Sequence, residues 1–155
     1  MRQMALNWSG ETFVADLAHD KGGLIGGDHL RTDLIIALFT WARANDDDAL
    51  PDGTSNRMGW WGDSFSDVEG ANTGSKLWLL RREKNTAETR KRAEDYCREA
   101  LQHLIDDGAA SDILVNVERA GLDGVKINIS VISLDGNQEA FVFDYAWEAE
   151  VGRIN

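Results

Sequence analysis

The residues best placed to do chemistry lie in and just after "NRMGWWGDSF", where Asp63 follows Trp61 and Asp67 and Glu69 come soon after. A carboxyl group against an indole can be held neutral while a second carboxylate nearby stays ionised. That division of roles is the one a glycoside hydrolase uses, with Asp63 as the acid and Asp67 or Glu69 as its partner. The chain holds 27 acidic residues against 16 basic ones, so such neighbours arise by chance, and its net charge of −11 gives no attraction toward anionic wall polymers. A cell-wall-degrading, lysozyme-like hydrolase is therefore the alternative reading only.

Other chemistry is poorly represented. His19, His29 and His103 fall in different elements with no i,i+4 pair, which disfavours a histidine metal site. "DDDALPDG" offers hard oxygen ligands but lacks the alternating register of the common calcium loop, and reads as a solvated acidic turn. There is no G-x-x-x-x-G-K phosphate cradle and no G-x-S-x-G elbow. The single cysteine, Cys97, excludes an internal disulfide and lies on the apolar face of a helical pattern, as a small core residue would. No catalytic, cofactor-binding or metal-binding residue is expected.

What remains is the tryptophan pair itself. On extended backbone, Trp60 and Trp61 point to opposite faces, and one core cannot easily bury both. One ring can plug its own domain while the other docks on a partner. Aromatic anchors dominate interface energetics, and flanking Gly59 and Gly62 let another backbone come close.

The elements that must position this loop can be read from hydropathy. Residues 1–27 read as a β-rich segment, "MALNW" and "TFVADLA" forming a hairpin or meander among glycine turns. Asp28 stands at a helix N-cap, followed by Leu30, Leu34, Leu38 and Trp41 at helical spacing, with Ile35, Ile36, Ala37 and Phe39 widening a buried face. Residues 45–74 have no convincing period and hold the only proline; irregular stretches of that length tend to be functional. "SKLWLLRREK" is expected as a short helix. Thr86 then caps a long amphipathic helix carrying Ala93, Tyr96, Cys97, Ala100, Leu101, Leu104 and Ile105 on one face, stopped by Gly108.

From residue 111 to 147 the period changes to two. Ile113, Val115 and Val117 alternate, then Val125, Ile127, Ile129 and Val131, then Phe141, Phe143 and Tyr145, with "GLDG" and "LDGNQ" as turns. The expectation is one α+β domain over residues 1–155: a short N-terminal β-hairpin, a buried helix, a long irregular loop, and amphipathic helices packed on a three-stranded antiparallel meander. Such a meander has two edges whose unpaired backbone groups accept another chain's strand, near 139–145 or near 113–119.

Charge limits the partners. Duplex DNA is bound through clustered lysine and arginine, and the nearest cluster, "RREKNTAETRKR", also carries Glu83 and Glu88 and reads as a solvated helix junction. The same repulsion disfavours anionic membranes, and no apolar run is long enough to span a bilayer. The first residues lack the apolar segment of a secretory signal, so folding in a reducing cytosol is expected.

The run "LPDGTSNRMGWWGDSF", then "GSKLWLLRREKNT", then "RAEDYCREALQHLIDDGAAS" with strands after it, resembles the Mu-like bacteriophage tail baseplate protein family, related to the wedge component, or sheath initiator, of contractile phage tails. The resemblance runs from about Asp28 to Trp147. It implies a structural protein of the virion, folded in the host cytoplasm, that binds baseplate wedge proteins and presents its C-terminal sheet to the tail sheath protein. Gly59, Trp60, Trp61, Gly62 and Asp63 match the family's loop motif, and Ser75, Leu77, Trp78 and Leu79 its second motif. With the β-strand residues Phe141, Phe143 and Tyr145, the loop motif and Trp78 form the expected partner interface. The Glu-Pro-Arg motif of better-known sheath initiators is replaced here by "DDGAASDI", so contacts made through it do not transfer. Some relatives have carried a lysozyme label.

Overall fold

The long helix begins where a hydroxyl can cap it. Thr86 is extended, and its Oγ1 accepts from the Thr89 N–H at 3.1 Å, satisfying one of the first-turn donors. The chain is described by a computed structural model covering residues 6–9, 14–17, 19–20, 23–24, 29–67, 69–122 and 124–146. In it the elements are β1 (Leu6–Ser9), β2 (Val14–Leu17), β3 (His19–Asp20), β4 (Gly23–Leu24), α1 (His29–Phe39), α2 (Ala87–Asp106), β5 (Asp112–Ala120), β6 (Gly124–Ile132) and β7 (Gln138–Ala146), with 3-10 turns at Pro51–Gly53, Trp61–Phe65 and Leu77–Leu80.

The fold is α+β, as the periodicity requires. β1 pairs with β2 and β3 with β4, both antiparallel, so the β-rich start forms two short ribbons. β5, β6 and β7 form the three-stranded antiparallel meander in that order. Gly108 and Gly136 hold φ of +75° and +84°, ending α2 and turning β6 into β7 where a side chain would strain the backbone.

One face of the sheet is dry. Ile113, Val115 and Val117, Val125, Ile127, Ile129 and Val131, and Phe141, Phe143 and Tyr145 are buried against the two helices. α2 packs on the β5 side through Ala93, Cys97, Leu101 and Leu104. α1 covers the β7 side, where Phe39 meets Phe143 edge-on at 5.7 Å and stacks on Tyr145 at 5.9 Å. The opposite face, with Leu114 and Val142, is open to solvent.

The structure corrects several expectations. α1 ends at Phe39, so Trp41 is not on its apolar face; it forms a parallel bridge with Ser75 and lies half-exposed beneath the Arg81 guanidinium, 4.7 Å from the ring centroid. The "SKLWLLRREK" helix shrinks to the single 3-10 turn Leu77–Leu80, because Arg81 turns to ψ of 133° and Arg82 takes a φ of +65°, which no helix continues. The proposed cap at Asp28 and the strand end at Trp147 lie outside the described residues.

Trp78 is also corrected. It is 1% exposed, and its indole Nε1 donates to the Ala42 carbonyl at 2.8 Å, so both its apolar body and its polar tip are engaged within the chain. The side chains of Phe141, Phe143 and Tyr145 are likewise enclosed in the core. A partner reaching β7 meets its backbone and its solvent face, not these rings.

Candidate functional site: an aromatic loop and two unlike sheet edges

The loop is built on a short extended spine, Thr40–Ala44, which follows α1. On one flank Ser75 N–H donates to Thr40 O at 2.9 Å and Ala42 N–H to Ser75 O at 3.1 Å. Gly74 makes this approach possible: a Cβ there would stand 2.2 Å from the Thr40 carbonyl oxygen, and its φ is +104°. Asn72 continues the seam with its side chain, accepting from Arg43 N–H at 2.8 Å and donating to Arg43 O at 3.1 Å. On the other flank Ala44 N–H donates to Arg57 O at 2.9 Å. The Arg57 guanidinium reaches back to the carbonyls of Asn45 and Asp46.

Asp63 closes the loop. Its two carboxylate oxygens accept from the backbone N–H of Thr73 at 2.8 Å and from the Thr73 hydroxyl at 2.6 Å. Those are the charge-assisted bonds of a structural clasp. The hydrolase reading needs Asp63 as a proton donor to substrate, and both its oxygens already serve the loop; Asp67 and Glu69 are exposed. The acidic turn is engaged too: Lys76, buried, lies 3.2 Å from Asp48 and 3.7 Å from Glu99. Among the described residues no three His, Cys, Asp or Glu side chains converge as metal ligands would.

Between the spine and the Asp63 clasp, the Trp61–Phe65 turn holds up an aromatic ridge. Trp60 folds back over Gly62, and its ring lies 5.7 Å from that of Trp61, which meets Phe65 edge-on at 6.0 Å. The rings remain in solvent, Trp60 at 44%, Trp61 at 73% and Phe65 at 80% exposure. Neither indole plugs the core; Trp78 and Leu79 do that beneath the loop. Phe65, which was not among the expected interface residues, joins the ridge because the turn brings it to Trp61. A depression of about 690 Å³ lies beside the ridge, lined by Arg43, Asp46, Met58 and Asn72.

The two edges of the sheet differ. Along β5 the odd-numbered residues turn their backbone groups away from β6, as the alternation of an antiparallel ladder requires. There the Arg98 guanidinium donates to Val115 O at 3.1 Å, and Val117 N–H donates to Glu94 Oε1 at 3.2 Å. Ile113 N–H donates to its neighbour's carboxylate, Asp112 Oδ1, at 2.8 Å. Along β7 the even-numbered residues face outward. Among the described residues, nothing bonds the outward groups of Ala140 and Val142.

The basic run is paired internally: Arg92 meets Glu83 at 2.7 Å, Arg90 bonds Asn85, and Lys91 lies between Glu94 and Asp95. Cys97 is enclosed, and burial pushes its thiol up to about 12, so it is no nucleophile near neutral pH. None of the described helices is long and apolar enough to cross a membrane.

Comparison with known proteins places the chain in a lineage. The family described as phage protein GP46 matches the chain over residues 30–138. The chain is 40% identical over 147 residues to "Baseplate protein gp46" of Escherichia phage Mu, spanning 95% of this chain and 98% of that protein. It is 36% identical over 148 residues to "Mu-like prophage FluMu protein gp46" of Haemophilus influenzae, again spanning 95% and 98%.

Proposed function

The chain belongs to the GP46 phage protein family, and from that premise we propose that it is a structural component of a contractile phage tail baseplate. In this reading it binds neighbouring wedge subunits and nucleates the tail sheath, within the virion and after folding in the host cytoplasm. The observation that carries it is the end-to-end match to the phage Mu baseplate protein, 98% of whose length is covered.

Two surfaces support the finer part. The ridge of Trp60, Trp61 and Phe65 is an exposed aromatic projection of the kind that anchors interfaces, with Gly59, Gly62 and Asp63 shaping it. We read it as the contact with wedge partners. The C-terminal sheet offers a strand of the sheath protein its β7 edge, where among the described residues the outward groups of Ala140 and Val142 are unpaired. The hydrolase alternative finds no support at Asp63, whose two carboxylate oxygens are clasped to Thr73.

The test is assembly. A Mu-like phage lacking this chain is expected to yield no sheathed tails by electron microscopy, and supplying the wild-type chain is expected to restore them. Complete contractile tails formed without the chain would overturn the reading.

A further inference from the structure

Between α1 and the C-terminal half of α2 lies an open groove that neither the ridge nor the sheet occupies. We propose that it takes a basic amphipathic helix of another protein, laid along α2 with its apolar side on Ile36 and its cations toward Asp33, Glu99 and Asp107. The proposal goes beyond the baseplate reading, and it holds or fails on the purified full chain whether or not that reading stands.

The groove has a volume of about 750 Å³. α1 supplies one wall through Asp33, Ile36 and Ala37, the i, i+3, i+4 spacing of a single helix face. α2 supplies the other through Tyr96, Glu99, Ala100, His103, Leu104 and Asp107, the same spacing carried along about 16 Å of helix. α1 is apolar nearly all round, and such a helix is ordinarily covered on every side. Yet Ile36, expected within the buried face, is 44% exposed and lies in this groove. The small side chains of Ala37 and Ala100 leave room there for the side chains of a third helix.

The walls decide between a helix and a strand as the occupant. Both are helices whose backbone groups are paired along their own axes. An extended segment would find no ladder to join and would lie there with its own N–H and C=O groups unmet. A helix brings its backbone bonds with it and needs only side-chain contact, as helix-in-groove interfaces do.

Charge selects the kind of helix. Lys76, the one lysine or arginine among the described lining residues, is already held between Asp48 and Glu99. Asp33 and Asp107 have no ion pair among the described residues. Asp107 also stands at the C-cap of α2, where the helix dipole disfavours a carboxylate and favours a cation. Lysine or arginine arriving from outside answers this excess of negative charge. A second copy has no such helix to offer. Its α1 lies against its own sheet, and Lys91, Arg92 and Arg98 of its α2 are paired with Glu83, Glu94 and Asp95.

Binding of a labelled peptide to the full chain tests the proposal. The probe is a helix former of about 18 residues, long enough to hold helical structure, with Leu and Ala on one face and Lys on its flanks. A version with Glu in place of Lys and a scrambled version of the Lys peptide are the comparisons. Only the amphipathic Lys peptide is expected to bind. Ile36→Ser, and separately Asp33→Asn/Asp107→Asn, are each expected to weaken it about tenfold at unchanged melting temperature. Glu118→Gln/Glu139→Gln, which removes the same charge from the sheet, is expected to change it by less than about twofold. Equal binding of the scrambled or the Glu peptide, binding that the groove variants leave intact, or no binding of any peptide overturns the proposal. So does self-association of the wild-type chain that Ile36→Ser abolishes, because the occupant is then a second copy.

Discussion

The ring of Trp60 occupies the volume that a side chain at residue 62 would need: a Cβ built on Gly62 falls 2.2 Å from Trp60 Cη2. The glycine between Trp61 and Asp63 is therefore a seat for the indole two residues before it. Gly62→Ala is expected to push the half-exposed Trp60 ring off its seat with little change in global stability. A changed tryptophan emission, with α2 and β5–β7 amides exchanging as before, is the expected signature.

The Asp63–Thr73 clasp makes a separate prediction. Asp63→Asn removes a charged acceptor facing two donors, a loss of about 1.5–3 kcal/mol for bonds to a charged group. Amide exchange within residues 60–74 is expected to quicken while the sheet stays protected, and Thr73→Val is expected to reproduce much of the effect. The wild-type chain is expected not to clear a peptidoglycan suspension; clearing that Asp63→Asn abolishes would restore the hydrolase alternative.

Exposure separates the tryptophans. Trp60→Ala, Trp61→Ala and Phe65→Ala are expected to shift thermal stability little and to impair incorporation into baseplates. Trp78→Ala, which empties a buried site and strands the Ala42 carbonyl, is expected to cost about 3–5 kcal/mol. Denaturant melts paired with a tail-assembly assay distinguish the classes. If the ridge variants melt like Trp78→Ala, the ridge serves folding instead of docking.

Lys76 is buried between Asp48 and Glu99. Removing Asp48 leaves the buried ammonium only the exposed Glu99, whereas replacing the lysine with an apolar side chain of similar length removes the desolvation problem with it. Asp48→Ala is accordingly expected to lower the urea midpoint more than Lys76→Met does.

Cys97 sets a pH dependence at the alkaline end. Burial, reinforced by the Glu94 charge and opposed by Arg98, raises its thiol from 9.0 to about 12. The unfolded chain thus loses this proton first. The contribution is neutral below pH 9 and turns against the fold as pH rises from 9 toward 12, by about 1.4 kcal/mol per pH unit. Urea melts across that range are expected to show a decline that Cys97→Ala lacks, and a thiol reagent at pH 8 is expected to react only as fast as the chain opens.

What the sequence disclosed was whatever local pattern controls. Thr86 and Gly108 bound α2 because a cap and a left-handed stop act within one turn. The alternation at 113–117, 125–131 and 141–145 gave the dry face of the sheet, since period two and burial are the same fact. Trp41 and Trp78 were misread because their positions depend on distant seams: the first on a bridge to Ser75, the second on a carbonyl 36 residues earlier. Which sheet edge is covered was equally invisible, because Glu94 and Arg98 belong to a helix and reach β5 only through tertiary packing. The tryptophan pair was recognisable as unusual, but its perch on Gly62 needed coordinates.

The seams on both flanks of Thr40–Ala44 have a thermodynamic corollary. A recognition loop that orders only on meeting its target gives up chain entropy at that moment, and each freely rotating side chain it immobilises subtracts about 0.5–1.5 kcal/mol from affinity. Here the backbone is already stitched on both flanks, and the three rings already lie against one another. If the ridge docks as proposed, much of that penalty has already fallen at folding, before any encounter.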